Sequence, residues 1–405
     1  MKKIQNNQPI QKEALRGKKV LVRVDFNVPT KDGNVEDITR IRNAYPTIKF
    51  LQDAGARIIL MSHLGKTTAP NPKQSLRILL EHVSREFKAN VAFIEDFLSD
   101  ETPQVIKSCA KNDIILLENL RFHPEEEACD PEFAKKLASL ADFYINEAFS
   151  VAHRKHASVY EVPKYLPHAF GIGFVKELEM LDGFLEGSRS PKMCIIGGAK
   201  LSSKVKLLKN LATKVDYLAL GGGIAGAFLG YYGNSSFKVF NQEGYDVYIK
   251  EILESAEKHN CKLVMPTDFS ALIGTNDEHM DQAIISSSGT ENANIFDIGP
   301  ESVEIFKKYI HESSTVLWNG PLGLFEKSPF DFGTRAVAEE VAKLTREKKI
   351  ISIVGGGDTT FAMNKFNVSQ DLTYQSTSGG AFLTYLEGSE LYGISSMEDG
   401  EILKE

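Results

Sequence analysis

The feature that most constrains the fold is a rhythm. Short apolar runs alternate with amphipathic stretches along almost the whole chain. In the first half the runs fall at 19–24, 57–61, 91–94, 114–117 and 143–145, with helical patterns between them at 39–53, 75–88, 102–111 and 131–140. In the second half the runs fall at 193–196, 217–220, 262–265, 315–318, 350–354 and 372–375, and the helical patterns at 202–212, 245–259, 301–311 and 334–347. Strands alternating with helices of this length imply βαβ units and parallel sheets. At 405 residues the chain exceeds one ordinary core, so more than one domain is expected. The best boundary is the stretch F-V-K-E-L-E-M-L-D-G-F-L (174–185), which reads as one helix. It follows Gly171 and Gly173 and stops at Gly187-Ser188-Arg189-Ser190-Pro191. It reads either as a hinge between two α/β domains or as a buried helix of the second.

Charge and cysteine usage narrow the function. A formal net charge of −7 argues against a general nucleic-acid or anionic-membrane binder, so any anionic ligand needs a local basic cluster. Cys109, Cys129, Cys194 and Cys261 are scattered with no C-x-x-C, which suggests reduced thiols. The start M-K-K-I-Q-N-N-Q-P has a positive end but no apolar core, and no apolar run approaches membrane-spanning length. The expectation is a soluble cytoplasmic protein.

Ligands of open parallel sheets bind beyond the carboxyl ends of the strands. In the first half that rule gathers Asp25, Asn27, His63, Lys66, Asn119, Arg121 and His123, then His153, Arg154 and His156, with Arg40 opening the first helix. Arginines grip phosphate and carboxylate with two donors, and convergence from four strand ends is hard to explain as capping. A basic anion pocket is expected.

The second half has three glycine clusters after strands: Gly197-Gly198-Ala199-Lys200, Gly221-Gly222-Gly223 and Gly355-Gly356-Gly357. In I-S-I-V-G-G-G-D-T-T (351–360) the glycines let backbone approach a ligand, and amides at a helix start suit phosphate oxygens. Asp358 is a hard carboxylate of the kind Mg²⁺ prefers, or else the N-cap of a tight β-to-α turn. Lys200 and Lys204, four apart, would share a face of a helix starting near Ser202. Asn319 and Glu326, in W-N-G-P-L-G-L-F-E (318–326), could meet a ribose or base, or serve as turn residues. Gly65-Lys66-Thr67 is no Walker A loop, because Leu60 stands where its first glycine belongs. Gly221-x-Gly223-x-x-Gly226 does fit a dinucleotide fingerprint, with Glu243 or Asp246 as the ribose acid, and keeps a nicotinamide-dependent dehydrogenase open as a rival.

Taken together, the chain resembles the phosphoglycerate kinase family. The matching stretches are V-L-V-R-V-D-F-N-V-P (20–29), S-H-L-G (62–65), L-L-E-N-L-R-F-H-P-E-E (116–126) and E-A-F-S-V-A-H-R-K-H-A-S (147–158). They continue with G-G-A-K-L-S-S-K (197–204), D-I-G-P (297–300), W-N-G-P-L-G-L-F-E (318–326) and G-G-G-D-T-T (355–360), in the family's order. The resemblance implies an α/β chain of two doubly wound, Rossmann-like parallel-sheet domains joined by a hinge helix. Residues 1–172 would bind 3-phosphoglycerate, 173–187 form the hinge, 188–388 bind adenine nucleotide, and 389–405 return to the first domain. Carried over by position, Asp25, Phe26, Asn27, Arg40, His63, Leu64, Gly65, Lys66, Arg121 and Arg154 would hold the phosphoglycerate. Gly198, Ala199, Lys200, Lys204, Gly222, Asn319, Glu326, Gly356, Gly357, Asp358 and Thr359 would hold the nucleotide, with Mg²⁺ on Asp358. Lys66, Ser150-Val151, Tyr374 and Ser378 depart from the family's pattern.

The implied reaction is reversible phosphoryl transfer between 1,3-bisphosphoglycerate and ADP, giving 3-phosphoglycerate and ATP, by a monomer that closes its domains. The nucleophile in the ATP-consuming direction is a carboxylate, ionised at neutral pH because its pKa is about 4, so no general base is needed. Arg40 and Lys204, with the amides reaching Gly357, would carry the transition-state charge. A catalytically silent nucleotide-binding protein on the same fold is the other alternative, disfavoured because binding alone would not demand charge from both halves.

Overall fold

A computed structural model describes residues 8–187, 189–233, 244–276, 279–287 and 293–404. The chain divides into two compact units, Met1–Glu179 with Glu390–Glu405, and Met180–Ser389. The division falls inside the helix Ile172–Leu185. Ser188 and Glu243, named above, lie outside the described residues.

The first unit is built on seven parallel strands: β1 (Lys19–Arg23), β2 (Arg57–Met61), β3 (Val91–Ile94), β4 (Ile114–Leu117), β5 (Phe143–Asn146), β6 (His168–Phe170) and, from the far end of the chain, β16 (Glu401–Ile402). Their order is β16-β6-β5-β1-β2-β4-β3. Strand order reverses between β1 and β5, which pair directly with Val20 opposite Phe143 and Arg23 opposite Asn146. β1, β2, β4 and β5 read as near-continuous apolar runs because helices and turns cover both faces.

The second unit carries six parallel strands: β7 (Lys192–Ile196), β8 (Tyr217–Leu220), β9 (Lys262–Val264), β13 (Thr315–Asn319), β14 (Ile351–Gly355) and β15 (Tyr374–Ser376). The order β9-β8-β7-β13-β14-β15 reverses between β7 and β13. Beside this sheet stands an antiparallel one, in the order β11-β10-β12, made of β10 (Asp268–Asn276), β11 (His279–Ser286) and β12 (Ala293–Ile298). Both parallel sheets are doubly wound, and each has its own core, with fully buried Trp318 in the second.

The helical patterns need three corrections. The stretch 39–53 forms two helices, Thr39–Asn43 and Tyr45–Ala54, because Pro46 has no N–H to continue the first ladder. The stretch 75–88 opens with a 3₁₀ turn, Leu76–Leu79, before the α-helix Leu80–Phe87. The helix expected at 202–212 begins only at Val205, after a 3₁₀ turn at Leu201–Ser203, so Lys200 and Lys204 do not share a helix face. The preceding loop is drawn into other glycine loops, and Lys200 stays extended.

The start of the helix Ile172–Leu185 is fixed by a buried acid. Glu147 accepts from Thr47 Oγ1 at 2.7 Å and from the Gly173 amide at 3.1 Å. A Cβ on Gly171 or Gly173 would stand 1.9 or 2.2 Å from its oxygens, so both positions must be glycine while Glu147 stays. Burial raises the Glu147 carboxyl to about 8, against the pull of the Thr47 and Gly173 donors.

Candidate active site

Each unit places its polar residues where strand order reverses, as expected for doubly wound sheets. In the first unit Asp25 follows β1 and Ser150 follows β5. The Ser150 hydroxyl donates to Asp25 Oδ2 at 2.6 Å, spanning the switch point. Asp25 Oδ2 also receives Arg40 Nη1, and Oδ1 accepts from the Asn27 amide at 3.0 Å. Arg40 therefore starts from a fixed orientation, and the Ser150 departure supplies part of that hold.

Around this pair gather the other cations. Arg121 is 4% exposed, yet two of its guanidinium nitrogens, Nε and Nη2, have no hydrogen-bond acceptor. Nε lies 3.1 Å from Glu127 Oε1 but off the N–H axis, and Nη1 donates to the Gly65 carbonyl. Arg154 Nε is likewise buried and unmatched. Buried donors left open beside each other imply an anion that completes them. Arg121 and Arg154 each depress the basicity of His63 and His156, which places all four in one field.

That field rests on a buried network the sequence reading missed. Arg23, fully buried on β1, donates from Nε to Ser158 Oγ at 2.9 Å, while its Nη2 lies 3.1 Å from His63 Nδ1. Arginine can only donate, so Nδ1 accepts and Nε2 carries the His63 proton. Burial, then Arg23, Arg121 and Arg154, push His63 well below the usual histidine range. Ser158 in turn donates to buried Glu126 through both N–H (2.8 Å) and Oγ (2.6 Å). His156 stands 3.7 Å from Glu126, but burial and then Arg23 push it down to about 3, so it is neutral and no ion pair forms. The available signal was Arg23 itself, a charge inside the apolar run V-L-V-R-V.

Other first-unit residues have structural work. Asn119 accepts from the Leu64 and Arg121 amides and donates to the Leu64 and Gln74 carbonyls, organising loops rather than facing a ligand. Asn27 Oδ1 accepts from the Gly65 amide at 2.8 Å. Phe26 and Leu64 are core residues, and Lys66 is exposed. His123 does not join the basic cluster: it packs between Phe97 and Phe133, with centroids 5.0 and 5.6 Å away.

In the second unit the switch point is made of backbone. A Cβ on Gly197 would stand 1.9 Å from the Pro321 carbonyl, and one on Gly320 2.2 Å from the Gly197 carbonyl. Gly222 and Gly223 are closed in the same way by the backbone of Gly198 and Ala199. Of the G-x-G-x-x-G glycines, Gly221 packs against Leu322 and Gly223 against the Ala199 backbone, so close loop packing accounts for both and the fingerprint lends the dehydrogenase reading little support. Asn319, at the end of β13, accepts Lys204 Nζ at 2.5 Å and donates to the Gly355 carbonyl at 2.7 Å. Burial lowers the basicity of Lys204, partly offset by Glu387, Cys194 and Asp358.

After β14 the chain turns at Gly356, whose φ of 99° favours glycine, and enters the helix Gly357–Lys365. Gly356 is the N-cap, so Asp358 sits in the first turn and is not the cap. The first amides of this helix have no partner within it, and nothing lies within 4 Å of a Cβ built on Gly357. Open amides at a helix start of this kind can receive an anion. Thr359 Oγ1 accepts from the Gly320 amide at 2.7 Å, fastening this helix start to the loop after β13. A cavity of about 320 Å³ adjoins it, lined by Gly198, Ala199, Gly222, Gly223, Phe269, Ile295 to Asp297, Pro321 to Glu326 and Asp358. The wall from Phe269 and Ile295 to Asp297 belongs to the antiparallel sheet, which the sequence reading did not foresee. Its signal was the alternating polar and apolar residues of 268–271, followed by apolar Leu272 and Ile273.

The comparisons with known proteins agree with this geometry. The family model described as phosphoglycerate kinase matches residues 10–389. A phosphoglycerate kinase of Wolbachia pipientis subsp. Culex pipiens (strain wPip) is 44% identical over 384 residues, covering 94% of this chain and 96% of that protein. One of Methylorubrum extorquens (strain PA1) is 42% identical over 384 residues, covering 95% and 96%. The solved phosphoglycerate kinase of Coxiella burnetii superposes with a TM-score of 0.84 at 36% identity, covering 94% of this chain and 96% of that one. Two doubly wound sheets, a basic cluster, a glycine-lined cavity and these matches across nearly the whole length lead to one conclusion: the chain belongs to the phosphoglycerate kinase family.

Proposed function

We propose that the first unit holds the phosphoglycerate and the second the adenine nucleotide in the family's reaction, reversible phosphoryl transfer between 1,3-bisphosphoglycerate and ADP giving 3-phosphoglycerate and ATP. The observation that carries this assignment is the pairing of open, buried guanidinium donors at one switch point with an open amide cradle at the other. Arg121 and Arg154 suit the phosphate of the glycerate substrate, and neutral His63 suits a hydroxyl or carboxylate oxygen. The base belongs in the cavity between Gly198 and Phe325, the ribose near Glu326, and the phosphates on the amides of Gly357 to Thr359.

The acceptor carboxylate needs no base, so the protein contributes position and charge. Arg40, held by Asp25, and Lys204, held by Asn319, supply cations fixed before the transferring group arrives. Within the second unit, Asp358 would hold the Mg²⁺ that accompanies the nucleotide. The exposed Asp358 carboxylate lines the cavity and carries no hydrogen bond or ion pair among the described residues. Nor, among those residues, do three or more His, Cys, Asp or Glu converge into an all-protein cage. One free carboxylate beside phosphates is the usual Mg²⁺ arrangement. Bound with the nucleotide, Mg²⁺ would neutralise charge on its phosphate oxygens.

The reading includes closure during turnover, since two anchored substrates must meet, and a monomer working in the cytoplasm. Scattered free thiols suit such a reducing compartment. A coupled assay for ATP-dependent 1,3-bisphosphoglycerate formation, run beside NAD⁺ and NADH binding, tests the assignment. Activity without nicotinamide binding is expected. Nucleotide binding without turnover would instead favour a silent protein. Small-angle scattering should show a smaller radius of gyration with both substrates than with either alone.

A further inference from the structure

The helix Gly357–Lys365 does more than present amides. Its last residue, Lys365, donates from Nζ to the Phe325 carbonyl at 2.7 Å and the Glu326 carbonyl at 3.2 Å. One turn earlier Phe361 meets Phe325 edge-on, with centroids 5.8 Å apart. Residues four apart share a helix face, so one face grips one segment. With the bond from the Gly320 amide to Thr359, three contacts along a single helix pin the segment 320–326. Among the described residues no backbone N–H reaches the Phe325 or Glu326 carbonyl, so Lys365 supplies the donors they lack. The same ammonium stands 3.9 Å from Asp331 Oδ2, whose carboxyl partner Oδ1 is buried without a hydrogen bond.

We propose that Lys365 is a positioning residue for the nucleotide site. It fixes the cavity wall carrying Phe325 and Glu326 against the amides of Gly357 to Thr359, so that base-side and phosphate-side contacts fit one adenine nucleotide. Both halves of the site hang on the same rigid helix. Lys365 sits at its far end and takes no part in the chemistry. The inference rests on the nucleotide assignment given above. Without the ammonium the cradle survives, but the wall loses its height relative to it.

The protein carries its own reporter. Trp318 is its single tryptophan, fully buried where β13 enters the segment, and its Nε1 donates to the Gly320 carbonyl at 2.7 Å. Full-length wild type, Lys365→Met and Lys365→Arg would be titrated with ADP by Trp318 emission, and assayed for KM of ATP and of 3-phosphoglycerate. Lys365→Met should raise the ADP Kd and the ATP KM about tenfold or more, the scale of losing hydrogen bonds from a charged donor. The KM for 3-phosphoglycerate should stay within about twofold, and Lys365→Arg should recover most of the loss. Lys365→Gln covers the case in which methionine disturbs folding. A folded variant with unchanged ADP affinity overturns the inference, as does an equal rise in both KM values. Absence of any ADP response in the wild type would overturn the nucleotide assignment itself.

Discussion

At the first switch point Asp25 meets Ser150, and the polar atoms come from long charged side chains; at the second Gly197 meets Pro321, and they come from the backbone. The two constructions need different support. Guanidinium groups are flexible and costly to bury, so the first site needs compensating acids nearby: Glu127, 3.1 Å from Arg121 Nε, and buried Glu126, which is tied to Arg23 through Ser158. Amides are already rigid, so the second site needs chiefly the absence of side chains. A charged cluster suits a small, densely anionic substrate. A glycine-lined cavity ending in a helix start suits a larger ligand with one apolar end and one anionic end.

The comparison can be broken most severely at Arg40. Arg40→Ala should lower kcat by about 10³-fold or more, the scale of an arginine that supplies transition-state charge, with ADP affinity little changed. Unchanged turnover would remove side-chain charge from the account of the first site. Asp358→Asn comes next. Use of Mg-nucleotide should fall by about 10²-fold, as for loss of one preorganised electrostatic group, while 3-phosphoglycerate affinity holds. Equal loss of both affinities would point to misfolding.

Gly356→Ala tests the backbone construction. The position has φ of 99°, and a Cβ there would stand 2.5 Å from Asn319 Nδ2, the amide that also holds Lys204. Strain of about 1–3 kcal/mol should weaken ADP binding roughly tenfold, with the first site untouched. Full ADP affinity in this variant would show that the cradle does not depend on a missing side chain.

The smallest expected effect on activity is at Glu147, where the test is stability against pH. Glu147, raised by burial to about 8, keeps its proton in the folded state when the unfolded chain, with a carboxyl near 4, has lost it. Between about pH 4 and 8 the folded state binds the extra proton, so this group's contribution to stability declines as pH rises. Glu147→Gln should flatten that slope in thermal melts, with the wild type at its best relative to the variant at the acid end. Parallel slopes would show that the Thr47 and Gly173 donors keep Glu147 ionised throughout. Asp297, raised by burial to about 7, plays the matching part in the second unit.

Much of this was legible in the sequence. The parallel strands show because strands covered on both faces must be apolar throughout, and the helix 172–185 shows through its period and glycine stop. Post-strand residues gather at the switch points because a parallel sheet aligns all its carboxyl ends. Three things were hidden. The antiparallel sheet of 268–298 includes exposed, polar positions that resemble loop. Helix starts slid where tertiary contacts won, as at Lys204, held by Asn319 from 115 residues away. The Arg23 network joins residues 135 apart, and neither end announces the other.

One feature of the first sheet reaches into how the protein is made. Its edge strand, β16, lies at Glu401–Ile402, and the unit it completes otherwise ends at Glu179. A ribosome adding about 5–20 residues per second emits the intervening Met180–Ser389 in roughly ten to forty seconds. During that interval His168–Phe170 is an uncovered strand edge, open to pairing with a neighbouring nascent chain. The second unit, unbroken in sequence, can finish first. The domain begun first is therefore the last to be sealed, and protection of nascent chains matters most at β6.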